Sequence, residues 1–315
     1  NTDALKAGAR VEFNPEKRNA SDFALWKFTP ASEKRDMEWE TPVELLDSKE
    51  SRMGFPGWHL ECSAMAMSIL GDTLDIHTGG IDHIPVHHTN EIAQSEAATG
   101  VTFSQFWLHN NHVMSNGTKI SKSLENGYTL QDISSKGFDP QDFRLFIIQS
   151  HYRSESNFTF SNLESAKNRR LNWRNIAALR HQIYSGVEKP AHQDDDLGLL
   201  AASRALIETI SNDLDTPGAL SFIDDAFSKV ATASLHTINR QAFIEFLQTI
   251  DDVLGLQLMG SSPDIDDETK QLIIERERAR EERDWKRADT LRHKIEKTGV
   301  ILQDTNKDSV WAYSS

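Results

Sequence analysis

One cysteine, Cys62, stands in 315 residues. A single thiol closes no intramolecular disulfide, which excludes a disulfide-stapled secreted scaffold and fits a reducing compartment. No apolar run approaches the ~20 residues that cross a bilayer, and no basic-then-apolar leader is present, so the expectation is a cytoplasmic protein with no membrane attachment. Positive charge is also short: 34 Lys and Arg face 48 Asp and Glu, a formal net charge of −14. That balance excludes a chain that coats nucleic acid through overall basicity, although a local patch can still hold one. Internal repeats and low-complexity tracts are missing too. The chain opens on Asn1 rather than a methionine, in a charged stretch without a starting strand, and reads as a piece that has lost an N-terminal part.

What is present is an ordinary globular composition, 38% hydrophobic and 26% charged, with room for two or three domains at roughly 100–200 residues each. Residues 1–50 are polar with scattered aromatics (Phe13, Phe23, Trp26, Phe28, Trp39) and read as a loop-rich segment packed on something else. From Arg52 to about Asn111, glycines, histidines and short apolar runs take over. Leu74-Asp75-Ile76-His77 reads as a strand stopping at Gly79-Gly80, and Asn90 to Thr99 as a helix stopped by Gly100. Strand, glycines, helix is the grammar of an α/β sheet. His112–Ser115 and Thr118–Ser121 flank Asn116-Gly117, a strong hairpin signal because both turn positions favour positive φ. Three-to-four spacing then predicts helices over 162–184, 197–213, 217–233 and 241–254, the third capped by Thr216 with Pro217 at its first position. After Gly260–Pro263 come one long charged helix, about 266–298, and a strand-like tail, 299–311.

Three groups of residues carry chemistry. Cys62 closes the run Gly57-Trp58-His59-Leu60-Glu61-Cys62, and His87 and Glu91 follow four apart, on one face if a helix begins near Pro85. Thiolate, imidazole and carboxylate suit zinc. The plain alternative is a small buried cysteine and a surface His/Glu pair. His77 ends the Leu74 strand before two glycines, where α/β sheets hold ligands, or where a histidine is simply satisfied at a loop edge. Lys119-Ile120-Ser121-Lys122-Ser123 offers two lysines and two hydroxyls to nucleotide phosphates, and a flexible lysine can neutralise leaving pyrophosphate. A chance Lys/Ser loop would look the same.

Taken in order along the chain, Gly57–Cys62, Asp75–His77, His87-His88, Asn90–Gln94 and Lys119–Ser123 resemble the cysteinyl-tRNA synthetases, a family of class I aminoacyl-tRNA synthetases whose lysine loop is the KMSKS signature. The likeness extends to Asp22–Lys27, Ser150–Arg153, Asn157–Thr159, Asp213–Pro217 and the tail Glu281–Asp304. It implies an α/β plus all-α chain: the C-terminal part of a Rossmann-like catalytic domain, a helical tRNA-binding bundle and a small anticodon-binding unit. The expected divisions are 1–50, 51–113 with the zinc site, 114–161 with the lysine loop, 162–260 and 261–315.

The resemblance implies cysteine–tRNA ligase activity, in which ATP with Mg2+ activates L-cysteine and the cysteinyl group passes to the 3′ end of tRNA(Cys), in a monomer. Cys62, His87 and Glu91 are implied as three of four Zn2+ ligands. The family's fourth is a cysteine ahead of the HIGH signature, which this chain does not contain, so the chain alone is expected to be inactive. Trp58 is implied to line the amino-acid and adenine pocket, His77 to sit near the bound cysteine, and Lys119 and Lys122 to be catalytic, Lys122 also contacting ATP. Ile120 replaces the usual methionine, Glu125 stands where glycine is common, Thr89 where glutamate is frequent and Thr78 where glycine is frequent. Zinc fits the chemical problem. Cysteine and serine differ by one atom, pockets separate near-isosteres poorly, and a soft metal prefers thiolate.

For tRNA, the stretch 165–180 holds Lys167, Arg169, Arg170, Arg174 and Arg180 and no acid, a candidate phosphate-binding face. Trp311 is a candidate for stacking on an exposed base, or a packing anchor of the last strand. Two other readings stay open: a related ligase joining cysteine to a sugar amine, and a non-catalytic zinc- or RNA-binding module.

Overall fold

The structure, a computed structural model, describes residues 17–19, 21–46, 50–183, 194–304 and 309–314. The chain forms two compact units, Asn1–His112 and Val113–Ser315.

In the first unit, β1 (Trp26–Phe28) and β2 (Trp39–Glu40) both pair antiparallel with β3 (Met53–Pro56). The Trp26 indole donates to Thr41 Oγ1 at 3.0 Å across this small sheet. Gly54 makes room for it, since a Cβ there would lie 2.2 Å from Trp26 Nε1. Gly57 then lets the chain pass Ala24, whose carbonyl oxygen would sit 2.0 Å from an added Cβ, and α1 (Trp58–Leu70) begins at once.

A parallel pair follows: β4 (Leu74–Gly80) and β5 (Ser104–Asn110), in register from Leu74↔Ser104 to Gly80↔Asn110, joined through α2 (Thr89–Thr99). Gly100 ends α2 at φ 75°, the left-handed cap that glycine adopts without cost. The strand stops at Gly79-Gly80 as expected, taking in both glycines and ending at Gly80. The bare backbone of Gly79 admits the His88 and His83 rings, which would lie 2.6 and 2.9 Å from a Cβ there. Between β4 and α2 the chain makes a tight turn, Ile81–His83, and a wide π-helical turn, Ile84–His88, a form that recurs at functional sites.

The second unit opens with the hairpin β6 (Val113–Ser115) and β7 (Thr118–Lys119). Asn116 and Gly117 take the positive φ values, 51° and 73°, that its two-residue turn requires. β8 (Ser156–Phe158) adds parallel to β6, after α3 (Leu130–Ser135) and α4 (Pro140–Ile148). Both helices start on capping boxes, Thr129/Asp132 and Asp139/Asp142, each satisfying two end donors reciprocally.

The helices α5 (Phe160–Ala178), α6 (Leu199–Ser211), α7 (Thr216–Thr232), α8 (Arg240–Leu254) and the short α9 (Leu258–Ser261) close around one core. Trp173, Leu206, Ile223, Phe227, Phe243 and Phe246 are fully buried in it, the Phe227 ring edge-on to Trp173, Phe243 and Phe246. The helix expected over 162–184 turns into a tighter coil at Leu179–His181, and Tyr184 lies outside the described residues. α7 is capped by Asp215, whose carboxylate accepts from Gly218 N at 3.0 Å. Thr216, the expected cap, is the first helical residue.

The expected single helix over 266–298 is two, α10 (Asp267–Glu281) and α11 (Trp285–Glu296). Arg283 turns left-handed at φ 61°, and Asp284 starts a new helix by accepting from Arg287 N at 3.0 Å. A charged sequence without Gly or Pro hides this break, because the cap that makes it is one acid among many. The tail is a hairpin of β9 (Val300–Asp304) and β10 (Ser309–Tyr313). It packs Val300, Leu302 and Trp311 against Ala178 and Ile295.

Candidate metal centre and lysine loop

α1 brings Cys62, the π-helical turn brings His87 and the first turn of α2 brings Glu91. Their ligand atoms all lie within 4.8 Å of one another, with His87 Nε2 and Glu91 Oε2 3.5 Å apart. His77, His88 and Glu91 form a second such trio around the same carboxylate. Glu91 is completely buried. Its Oε2 meets His77 Nε2 at 2.8 Å, while Oε1 has no hydrogen-bond partner. A carboxylate oxygen left alone in the interior is costly unless a cation or donor answers it. The S, N and O donors around it are those that zinc takes, so these residues fit the ion.

Electrostatics agrees. Burial, then the charges of Glu91 and Glu61, push the Cys62 thiol above its ordinary value. Burial also holds His87 below its ordinary value, and takes His88 down to about 3. These rings are therefore neutral near pH 7, the form that donates a lone pair. His59 Nδ1 lies 2.7 Å from His87 Nδ1. One of the two carries the shared proton. If it is His87, its Nε2 is left as the free ligand atom, an orientation that partners of metal-bound histidine commonly impose.

The residues expected around the substrate lie here too. Trp58 is 59% exposed, its ring stacked on His59 and 4.5 Å from that of His87. His77 is wedged among His88, Phe103 and Trp107. The structure adds residues that spacing did not single out. His109 meets His88 at 2.7 Å, and Gln94 ties the His59 carbonyl and Ser63 Oγ to α2, both at 2.6 Å. The crowding of five histidines between 59 and 88 was the available signal for His59 and His88. Nothing local marked His109, which arrives from β5 by parallel pairing.

In the second unit, Lys119 is exposed at the end of β7, and residues 122–124 form a tight turn. The Lys122 side chain lies outside what is described.

The arginines of α5 are placed differently from the expected phosphate face. Arg170 is buried and donates through Nε to Asp142 Oδ1 at 2.6 Å. Arg169 stacks over Trp173 and pairs with Asp224. Arg174 lies 4.0 Å from the Tyr313 ring centre and donates to the Ser261 carbonyl. Arg180 is buried among the Ala177, Met259 and Ser262 carbonyls. Trp311 is 6% exposed, inside the C-terminal core, which leaves it no open face for a base. An acid-free run looked like a surface because its acids, Asp142 and Asp224, come from other helices.

These features define a class I synthetase catalytic region followed by helices and a small C-terminal unit. Residues 1–168 match the family model for the tRNA synthetases class I (C) catalytic domain, and residues 262–311 that for the cysteinyl-tRNA ligase anticodon binding domain. The chain belongs to the cysteinyl-tRNA synthetase family. It is 36% identical over 318 residues to a cysteine–tRNA ligase of Finegoldia magna, covering 100% of this chain and 66% of that protein. It is 36% identical over 335 residues to one of Treponema denticola (99% and 65%), and 38% identical over 300 residues to one of Chlamydia caviae (92% and 60%). The chain thus spans somewhat under two thirds of the length of these relatives.

Proposed function

We propose that this chain serves ATP-dependent activation of L-cysteine and transfer of the cysteinyl group to the 3′ end of tRNA(Cys). The observation that carries the reading is the Cys62, His87 and Glu91 donor set, with its orphaned buried carboxylate oxygen, beside the exposed Trp58 ring. Cys62 Sγ, a His87 ring nitrogen and a Glu91 oxygen would hold zinc. When bound, the ion supplies a soft Lewis acid that takes a thiolate in preference to a hydroxyl. His77, fixed by Glu91 and by packing against Trp107, gives the neighbourhood a rigid polar wall, and Trp58 offers a flat face to the amino acid or the adenine. Attack by the cysteine carboxylate on the α-phosphate needs no protein nucleophile, only positioning and charge stabilisation. Lys119 and Lys122 are the cations assigned to the phosphates and Mg2+-ATP.

The match of residues 262–311 to an anticodon-binding domain supports tRNA, rather than a sugar amine, as acceptor. In that unit Trp285 is 60% exposed at the start of α11, next to exposed Arg283, Lys286 and Arg287. An open aromatic ring suits an unstacked base, with Arg283, Lys286 and Arg287 in the same exposed run as the acids Glu282 and Asp284, and Arg287 lying 3.9 Å from Glu275. Trp285 takes the role that sequence reading gave to Trp311.

The test is metal and ligand binding by the purified chain. Cobalt in place of zinc should give a thiolate-to-metal absorption band that Cys62→Ser abolishes. L-cysteine should perturb the band where L-serine does not. A band that survives Cys62→Ser, or equal responses to the two amino acids, would refute the reading.

A further inference from the structure

The segment from Lys119 to Gly127 holds a feature that the chemistry above does not use. The Asn126 carboxamide bridges the loop. Its Oδ1 accepts from Ser121 N at 3.0 Å and its Nδ2 donates to the Lys119 carbonyl at 3.2 Å. The two partners are a donor and an acceptor, so they fix which way the amide points. Within the loop, Leu124 N donates to the Ser121 carbonyl at 3.3 Å, and the Ser121 and Ser123 hydroxyls meet at 3.2 Å. Glu125, just before Asn126, stands at φ 47°. A non-glycine residue is strained there, and a strained residue persists only where its surroundings hold it. The left-handed backbone explains why glycine is common at this position in the resemblance described above.

We infer that Asn126 is the positioning residue of the lysine loop: its carboxamide latches the strand end carrying Lys119 to the turn carrying Ser121, and left-handed Glu125 holds that latch under strain. The inference rests on reading the loop as the ATP-phosphate segment. Alanine at 126 removes both bonds. Aspartate keeps an acceptor for Ser121 N but cannot donate to the Lys119 carbonyl. Glycine at 125 relieves the left-handed residue and leaves the latch intact. A preformed loop meets phosphates without first paying to be ordered, so the latch shows in nucleotide affinity as well as in loop opening.

Trypsin cuts after Lys119 and Lys122, and reports loop opening directly. The unmodified chain, Asn126→Ala, Asn126→Asp and Glu125→Gly are digested briefly, with cuts counted by mass spectrometry, with and without Mg-ATP; melting temperatures are measured alongside. Without nucleotide, N126A should be cut about tenfold faster than the unmodified chain, N126D should fall between, and E125G should be cut roughly threefold slower. Melting temperatures should stay together. Mg-ATP should protect the unmodified loop, with the protecting concentration raised in N126A and lowered in E125G. Equal cutting of all four chains overturns the latch. Faster cutting of N126A at an unchanged protecting concentration makes Asn126 merely structural, and overturns its positioning role. The Mg-ATP arm is run on the chain completed with the HIGH-containing part, and absence of protection there overturns the phosphate reading on which the inference rests; the nucleotide-free differences distinguish that failure from failure of the latch. If N126A does not fold, N126D and E125G, moving in opposite directions, decide the matter.

Discussion

Arg170 gives the sharpest test of how α5 is used. Its side chain is 10% exposed and that of its partner Asp142 1% exposed, with Nε to Oδ1 at 2.6 Å. The other oxygen of Asp142 accepts from Asp139 N at 2.8 Å and closes the cap of α4. Arg170→Ala therefore removes one charge of a buried pair and strands the other at a helix start. Breaking such a pair costs about 3–5 kcal/mol, with a further contribution from the lost arginine stem. In a unit of this size each kcal/mol moves the melting temperature by roughly 2–4 °C, so a fall on the order of 10 °C is expected. The double variant Arg170→Met with Asp142→Asn should recover much of it, because no buried charge is then left unpaired. The assay is thermal unfolding followed by circular dichroism, with tRNA binding measured below the transition. A variant that melts like the unmodified chain but binds tRNA more weakly, with a flatter salt dependence, would show Arg170 on the RNA-facing surface and refute the burial argument.

Trp285→Ala should leave folding intact and weaken tRNA binding by about 1–3 kcal/mol, the usual worth of a stacked base; filter binding measures it, and unchanged affinity would move the anticodon contact elsewhere. Metal uptake should depend on pH through Cys62. The free site carries a thiol raised by burial and by Glu91, whereas the loaded site carries thiolate. Loading therefore releases a proton, and the apparent affinity should rise about tenfold per pH unit until the thiol ionises. A pH-independent titration would take the sulfur out of the ligand set. In the first unit, Gly54→Ala should destabilise by about 1–3 kcal/mol as the new methyl meets the Trp26 indole, read as loss of the Trp26 fluorescence environment at lower denaturant.

The parts of this fold legible in sequence are those that local rules decide. Asn116-Gly117 specified a hairpin because its two positive φ values leave little other choice, and Gly100 specified the end of α2 for the same reason. The Cys62, His87 and Glu91 triad was legible as a suspicion, since a four-residue spacing places two side chains on one helical face. The turn that presents His87 is nevertheless π-helical rather than α-helical. What remained hidden was long-range pairing. The run from Lys167 to Arg180 lacks acids in sequence, yet Asp142 and Asp224 reach it from α4 and α7. Trp311 and Trp285 are both tryptophans near charged residues in the same C-terminal segment, and only packing separates them: the first is an inward residue of β10, the second stands on an exposed helix start. A net charge of −14 sharpens the point. With the arginines of α5 held in contacts between helices, the proposed binding of RNA would draw on outward cations elsewhere, and the turn between α10 and α11, made by the Arg283 backbone and the Asp284 cap, sets Arg283, Lys286 and Arg287 in the same exposed run as Trp285.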